Sequence, residues 1–487
     1  MGYQRIPRFE PQPLRRAPPK PRKERSPFVM PKAVTSPFAT LSAALGRTWT
    51  AAPKLSDVLD PERNSFGVMR LMMALAVLVS HAFFLRSGSF SAEPLVALTN
   101  YSLGQYGVQG FFILSGVVVT QSLMKRHDLA DYARARALRI FPALIVCVLA
   151  CALALGPVFS LFGAENYFAS PSVFRYIAAT LSLSTGSALL PGVFAFNPAP
   201  GLINQSLWTL KYEVACYLLL GVIATIVWRS KARRHIVGGL TAVWALAMLA
   251  LKPNLLHEGN FLDTFAYFTL FFGTGVAAYL LRDVIRLCWL PLAALGAAFF
   301  ATIGSDTAEI MSALFLGYGL LWLSTFKFGG LRAYIGQNDY SYGTYIYGYP
   351  ASQAILALSP DVNILSLIAA TLAVTLVLAF MSWELIERPA LSMVRSLRSR
   401  QQLVPRKRLT PTAVPVSNNA MARLAVGQQA ETQPSPPSAT SLSDALARRP
   451  SRPPTLVPTE PEKAFDDSRL RARLAKISRG QHGLELQ

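Results

Sequence analysis

The chain of 487 residues is 52% hydrophobic and only 15% charged, yet 47 Lys and Arg against 26 Asp and Glu leave a formal net charge of +21. A soluble protein carries about 25% charged residues, so oil and charge must be separated along this sequence. They are: residues 1–60 hold 11 basic and 4 acidic side chains, residues 395–487 hold 16 and 7, and the 334 residues between hold the remaining 20 and 15. A single soluble globule is excluded, and so is a nucleic-acid binder with one basic folded face; the middle reads as a membrane domain.

In chain order, residues 1–62 form a basic, Pro-rich segment with the composition of a disordered tail. Residues 63–394 carry ten apolar runs, near 66–86, 104–123, 138–160, 207–228, 236–251, 262–281, 288–303, 308–326, 341–358 and 363–384. Each spans or nearly spans a bilayer core of about 30 Å. The stretch 161–206 is long and mostly apolar, and reads as re-entrant or interfacial. Residues 395–487 form a second basic, Pro-rich tail. Near its end Leu470, Leu474 and Ile477 recur at helical spacing among Arg469, Arg471, Arg473 and Lys476, which fits either a solvated tail or a basic helix on anionic lipid. With the N-terminus in the cytoplasm, the inner loops hold 13 basic residues and the outer loops only Arg86, Arg175 and Lys252, as the positive-inside rule requires. The expected fold is therefore all-α and polytopic, with about ten transmembrane helices and both termini cytoplasmic. The four cysteines lie in apolar runs and read as small hydrophobes, with no disulfide framework and no metal-ligand cluster.

Charged residues inside spans are the informative ones. Arg70 and His81 are eleven residues apart on the first span, within 20° of three full turns, so they share a face about 16 Å apart along the axis. Arg136 and Arg139, at i and i+3 where the third span opens, can reach one anionic group or serve as a positive-inside anchor, with Pro142 in the first turn. Glu213, about 10 Å into the fourth span by the helical rise, reads at a depth matching His81, where it orients the imidazole, binds a sugar hydroxyl, or pairs with Lys211. Trp208 and Tyr212 fit an interfacial aromatic belt equally well.

Six segments in order resemble the acyltransferase-3 family of bacterial membrane enzymes that acylate cell-surface glycans: Arg70…His81, Gly107-Val-Gln-Gly-Phe-Phe-Ile-Leu-Ser115-Gly116, Arg136…Arg139-Ile-Phe-Pro142, Ser206-Leu-Trp208…Glu213, Ser341-Tyr342-Gly-Thr-Tyr345, and Glu387-Arg388-Pro389. Two departures stand out. Where many relatives have a histidine after the Ser-Tyr-x-x-Tyr segment this chain has Gly348, and where some carry an SGNH esterase-like domain it has the basic tail; a stand-alone acyltransferase is expected.

The resemblance implies acyl-CoA as a cytoplasmic co-substrate, acetyl by default, a glycan hydroxyl as acceptor, and residence in the bacterial inner membrane, with no permanently bound cofactor and no nucleic-acid partner. On that chemistry Arg70, Arg136 and Arg139 are expected to hold the CoA phosphates and His81 to act as general base, or briefly to carry the acyl group, with Glu213 orienting His81 or the sugar. Ser115, Trp208, Tyr212, Ser341, Tyr342 and Tyr345 are expected to line the substrate path. The competing reading is a transporter or flippase whose Arg, His and Glu line a substrate or proton path.

Overall fold

A computed structural model describes Gly2 and residues 46–60, 63–126, 128–184, 189–230 and 261–393, with a few positions between 239 and 247. Most of both basic tails, the helical repeat at 469–477 and most of the expected fifth span lie outside the described residues. So does the second of two units into which the chain divides, Lys407–Gln487. Among the described residues regular structure is helical, with two isolated β-bridges, Lys54 to Arg286 and Ser160 to Val193.

The long helices are α1 (Phe66–Ser87), α2 (Leu103–Arg126), α3 (Leu129–Leu149), α4 (Leu210–Arg229), α5 (Phe261–Leu280), α6 (Trp289–Thr302), α7 (Ala308–Leu323), α8 (Ser341–Leu358) and α9 (Ile364–Ser382). Six helices are long and apolar enough to cross a bilayer among the described residues: Phe66–Ser87, Leu103–Lys125, Leu129–Phe159, Gln205–Val227, Phe261–Leu280 and Ile364–Met393. Helices α6 and α7 are shorter. Outward-facing Leu218, Val222 and Ile226 on α4 and Val374, Val377 and Phe380 on α9 are exposed, a surface suited to lipid. The protein is a multi-pass membrane protein.

Local chemistry sets the ends of these helices. The N–H of Phe66 is taken by Asn64 Oδ1 at 3.1 Å, and α1 stops at Gly88, whose φ of 79° is the left-handed C-cap that glycine adopts without penalty. Asp128 caps α3 by accepting from Ala130 and Asp131. This start lies well before the expected 138, so Pro142 sits inside the helix rather than in its first turn, and Arg134, Arg136 and Arg139 all ride on regular helix. The segment 50–59, assigned by composition to the N-terminal tail, packs on the α5–α6 connection: Leu55 and Ser56 donate to the Ile285 and Arg282 carbonyls, and Leu55 is fully buried.

Helices α1, α2 and α5 pack side by side, and α8 is enclosed by α1 and α9. Glycines let α2 and α5 touch backbone to backbone: a Cβ on Gly116 would overlap the Phe272 carbonyl, and one on Gly275 the Ile113 carbonyl. Gly275→Val is expected to cost about 3 kcal/mol or more, read as lost membrane yield and a lower melting temperature. Gly330→Ala, at a position with open space, is expected to match wild type.

The chain between α3 and α4 makes the excursion expected for 161–206. It runs through short helices at Ala164–Ala169 and Pro171–Leu181 and then follows α8 inward. Asn197 donates to the Gln353 side chain at 2.6 Å and backbone at 2.9 Å, and Gln353 Nε2 returns bonds to the carbonyls of Ala199 and Leu202. Seven residues along α8, about 10 Å by the helical rise, Asn204 donates to the Ile346 carbonyl at 2.8 Å. Thr209 and Tyr345 then share a hydroxyl bond of 2.6 Å. Non-helical backbone at membrane depth needs such partners. Helix α4 therefore begins deep inside the bundle, after a 3₁₀ turn at Gln205–Thr209.

Candidate active site

Two cavities lie along the inside of this bundle. The first is lined by Arg70, Arg136 and Arg139, by Glu213, Tyr217, Ser115 and Ser341, and by Tyr342, Thr209, Val108 and Tyr345. Three of these, Arg70, Arg139 and Ser341, converge on Asp339, in the connection just before α8. Arg139 Nη2 approaches Asp339 Oδ2 at 2.7 Å and Arg70 Nη2 reaches the same oxygen at 3.1 Å, while Arg139 Nη1 meets Glu387 Oε2 at 3.0 Å. A π-helical turn at Trp383–Glu387 continues α9 to that carboxylate. Ser341 donates its hydroxyl to Asp339 Oδ1 at 2.5 Å. Burial draws the Asp339 carboxyl up, but the Arg139 and Arg70 guanidiniums and the bonds from Ser341 outweigh it and hold it at about 2. Arg136 lies over the Tyr217 ring at 5.9 Å, and Tyr217 donates its hydroxyl to Glu213. Tyr342 donates to the Ile140 carbonyl at 2.9 Å and lies beneath the Arg139 guanidinium at 5.5 Å.

The second cavity, about 290 Å³, belongs to His81. Its wall also includes Ser80, Phe90, Gln105, Gln109, Gln205, Ser206, Trp208, Tyr267 and Phe268. The imidazole is 9% exposed and stands edge-on to Tyr349 at 5.0 Å, with Phe90 on another side. Glu93, in the loop between α1 and α2, is buried; it accepts from Ser80 Oγ at 2.6 Å and from the Leu103 N–H, pinning that loop beside the cavity. Gln109 donates to the Tyr267 hydroxyl at 2.7 Å and accepts from Ser312. Val108 and Tyr345 line both cavities and form the wall between them.

The family model for an acyltransferase domain, the acyltransferase-3 type, matches residues 63–383. The chain belongs to the acyltransferase-3 family. An "O-acetyl transferase" of Shigella phage Sf6 is 27% identical over 329 residues, covering 67% of this chain and 95% of the phage protein. "Nodulation protein 10" of Rhizobium leguminosarum bv. viciae is 28% identical over 366 residues, 70% of this chain and 96% of its own length. No solved structure matches the chain significantly.

In this acyltransferase the sequence-derived residues divide between the two cavities. Arg70, Arg136, Arg139, Ser115, Ser341 and Tyr342 meet in the first as one set, and Tyr345 serves both. The guanidiniums are not spare, however: Arg70 and Arg139 hold Asp339 and Glu387, and with Glu213 the cluster sets three carboxylates against three arginines. Among the described residues, Arg70 Nε and Arg136 Nε are buried without a hydrogen-bond partner.

Glu213 and His81 are not brought together. They line separate cavities, because α4 starts deep in the bundle and its first turn falls below the depth counted from an outer helix end. Nor does Glu213 pair with Lys211, whose ammonium lies over the Tyr212 ring at 4.9 Å. Trp208 lines the His81 cavity as expected, whereas Tyr212 is buried against Phe261 and lines neither. Sequence reasoning missed Asp339, Glu93, Val108 and Thr209. Of these only Asp339 left a signal, a carboxylate two residues ahead of a serine that opens a helix, the pattern of an Asx turn.

Proposed function

We propose that this acyltransferase moves an acyl group, acetyl by preference, from acyl-CoA in the cytoplasm to a hydroxyl of a surface or exported glycan across the bacterial inner membrane. One observation carries the reading: a cavity ringed by arginines and a cavity holding His81 share Val108 and Tyr345 as a common wall. A donor head at the arginines is thus one layer of side chains from the imidazole, and its arm reaches His81 where Val108 and Tyr345 give way. Ten spans with both termini in the cytoplasm put the arginine end inward by the positive-inside rule. The 16 Å or so from Arg70 to His81, by the helical rise, suits an extended pantetheine arm. The name of the phage relative, O-acetyl transferase, supports acetyl and an oxygen acceptor, and the family resemblance supports a glycan.

In this scheme Arg136 and Arg70 offer their uncommitted N–H groups to the CoA phosphates. Glu213 and Asp339 balance the charge when the donor is absent. The acceptor hydroxyl gives its proton to the His81 imidazole as its oxygen attacks the thioester carbonyl. The carbon–sulfur bond then breaks, the imidazolium returns the proton to the sulfur, and CoA leaves as the free thiol. The ester stays on the glycan. A transporter would move its cargo without this change in mass.

The test is purified protein in liposomes with labelled acetyl-CoA and alkali-treated surface polysaccharide from the producing bacteria. Label is expected in the polysaccharide, in an alkali-labile ester. Label that stays on CoA with every such polysaccharide overturns the proposal.

A further inference from the structure

Several polar side chains around His81 are bonded within the protein. Ser80 is committed to Glu93, Gln109 to Tyr267 and Ser312, Gln105 Oε1 to the Ser102 N–H, and the Tyr345 hydroxyl to Thr209. Gln205 Oε1 and Ser206 Oγ, by contrast, are buried and have no hydrogen-bond partner among the described residues. Both residues line the same cavity as the imidazole. Their backbone is held in place: Asn204 Oδ1 accepts from the Ser206 N–H at 3.2 Å, and Asn204 Nδ2 is fixed on the Ile346 carbonyl.

A buried polar atom without a partner costs stability, and where a protein keeps one it marks a place reserved for something else. Here two such atoms belong to adjacent residues that line a cavity of about 290 Å³, close to the lower end of the range of about 300–1,000 Å³ for small-molecule sites and suited to a single ring. A side-chain amide and a hydroxyl offer both acceptors and donors, the complement of neighbouring sugar hydroxyls. Trp208 adds an aromatic surface on the same wall.

We propose that Gln205 and Ser206 form the acceptor subsite, binding the hydroxyl next to the one that His81 deprotonates. The acceptor is then a sugar with two adjacent free hydroxyls, of which one is acylated. This inference rests on the acyl-transfer reading above.

Gln205→Leu and Ser206→Ala remove the two atoms while keeping the shape. Wild type and both variants would be assayed with labelled acetyl-CoA and the alkali-treated polysaccharide, varying each substrate in turn, with melting temperatures recorded in detergent. Each variant is expected to raise the KM for polysaccharide by about tenfold, the loss of one hydrogen bond. The KM for acetyl-CoA should stay within twofold, and the melting temperature should be equal to or above wild type because no protein hydrogen bond is lost. An unchanged polysaccharide KM, or a matching rise in the acetyl-CoA KM, overturns the subsite. So does a fall in melting temperature, since it would give these atoms a structural role. A wild-type protein that acylates no polysaccharide overturns the acyl-transfer reading instead, and the subsite with it.

Discussion

His81→Ala is expected to lower acyl transfer by about 10²–10⁴-fold, the range supplied by a positioned general base, and to leave the protein folded in the membrane. The imidazole makes edge-on contact with Tyr349 and lies near Phe90, but it makes no hydrogen bond or ion pair among the described residues that the fold depends on. Truncation therefore removes packing only, worth about 1–3 kcal/mol. Label transfer from acetyl-CoA measures the first effect and thermal denaturation in detergent the second. A variant that keeps full transfer would remove His81 from the mechanism. One that loses transfer together with its fold would mean that the side chain is structural, and His81→Gln, closer in volume and polarity, separates the two outcomes.

Arg139→Met is expected to produce the largest loss of stability. Its guanidinium bridges Asp339 and Glu387, and the Glu387 side chain is only 2% exposed. Removing the cation leaves that carboxylate buried and unmatched, a situation that costs about 3–5 kcal/mol. Arg139→Lys should recover little, because a single ammonium cannot fork between two carboxylates as the planar guanidinium does. Pairing Arg139→Met with Glu387→Met should restore much of the melting temperature; a double variant no more stable than the single would show that the pair is not the cause. The same cluster has a pH signature. With the Asp339 carboxyl held near 2 against an ordinary 3.8, its contribution is present above about pH 4 and is lost as the pH falls toward 2.

How much of this could be read from the sequence depends on where each signal is written. Apolar runs mark helix interiors well, because a helix must present about 20 oily residues to cross lipid: α1, α5 and α8 start and stop within a residue or so of the expected bounds. Arg136 and Arg139 line one cavity as their i, i+3 spacing suggested, and Arg70 joins them as the acyl-CoA chemistry implied. The depth of Glu213 could not be read, since counting from a helix end assumes that the helix begins at the membrane surface, and α4 begins beside Tyr345 in the interior. Asp339 was hidden for a related reason: a carboxylate between two helices looks like any solvated loop residue until two arginines from other helices close on it. Ser206 was visible only as part of a motif and Gln205 not at all, because an unpartnered atom is a property of three-dimensional neighbours.

The inward excursion ahead of α4 has a consequence for how this chain can vary. Gln205, Ser206 and Trp208 wall the His81 cavity, and Thr209, Leu210, Glu213 and Tyr217, on the same unbroken segment, wall the arginine cavity. Losing or gaining one residue between Asn204 and Tyr217 would rotate every later side chain by about 100° and refit both chambers at once. The described residues between Ala164 and Leu190 line neither cavity. Length changes are therefore expected to be tolerated between those two residues, while the stretch that follows has its register fixed twice over.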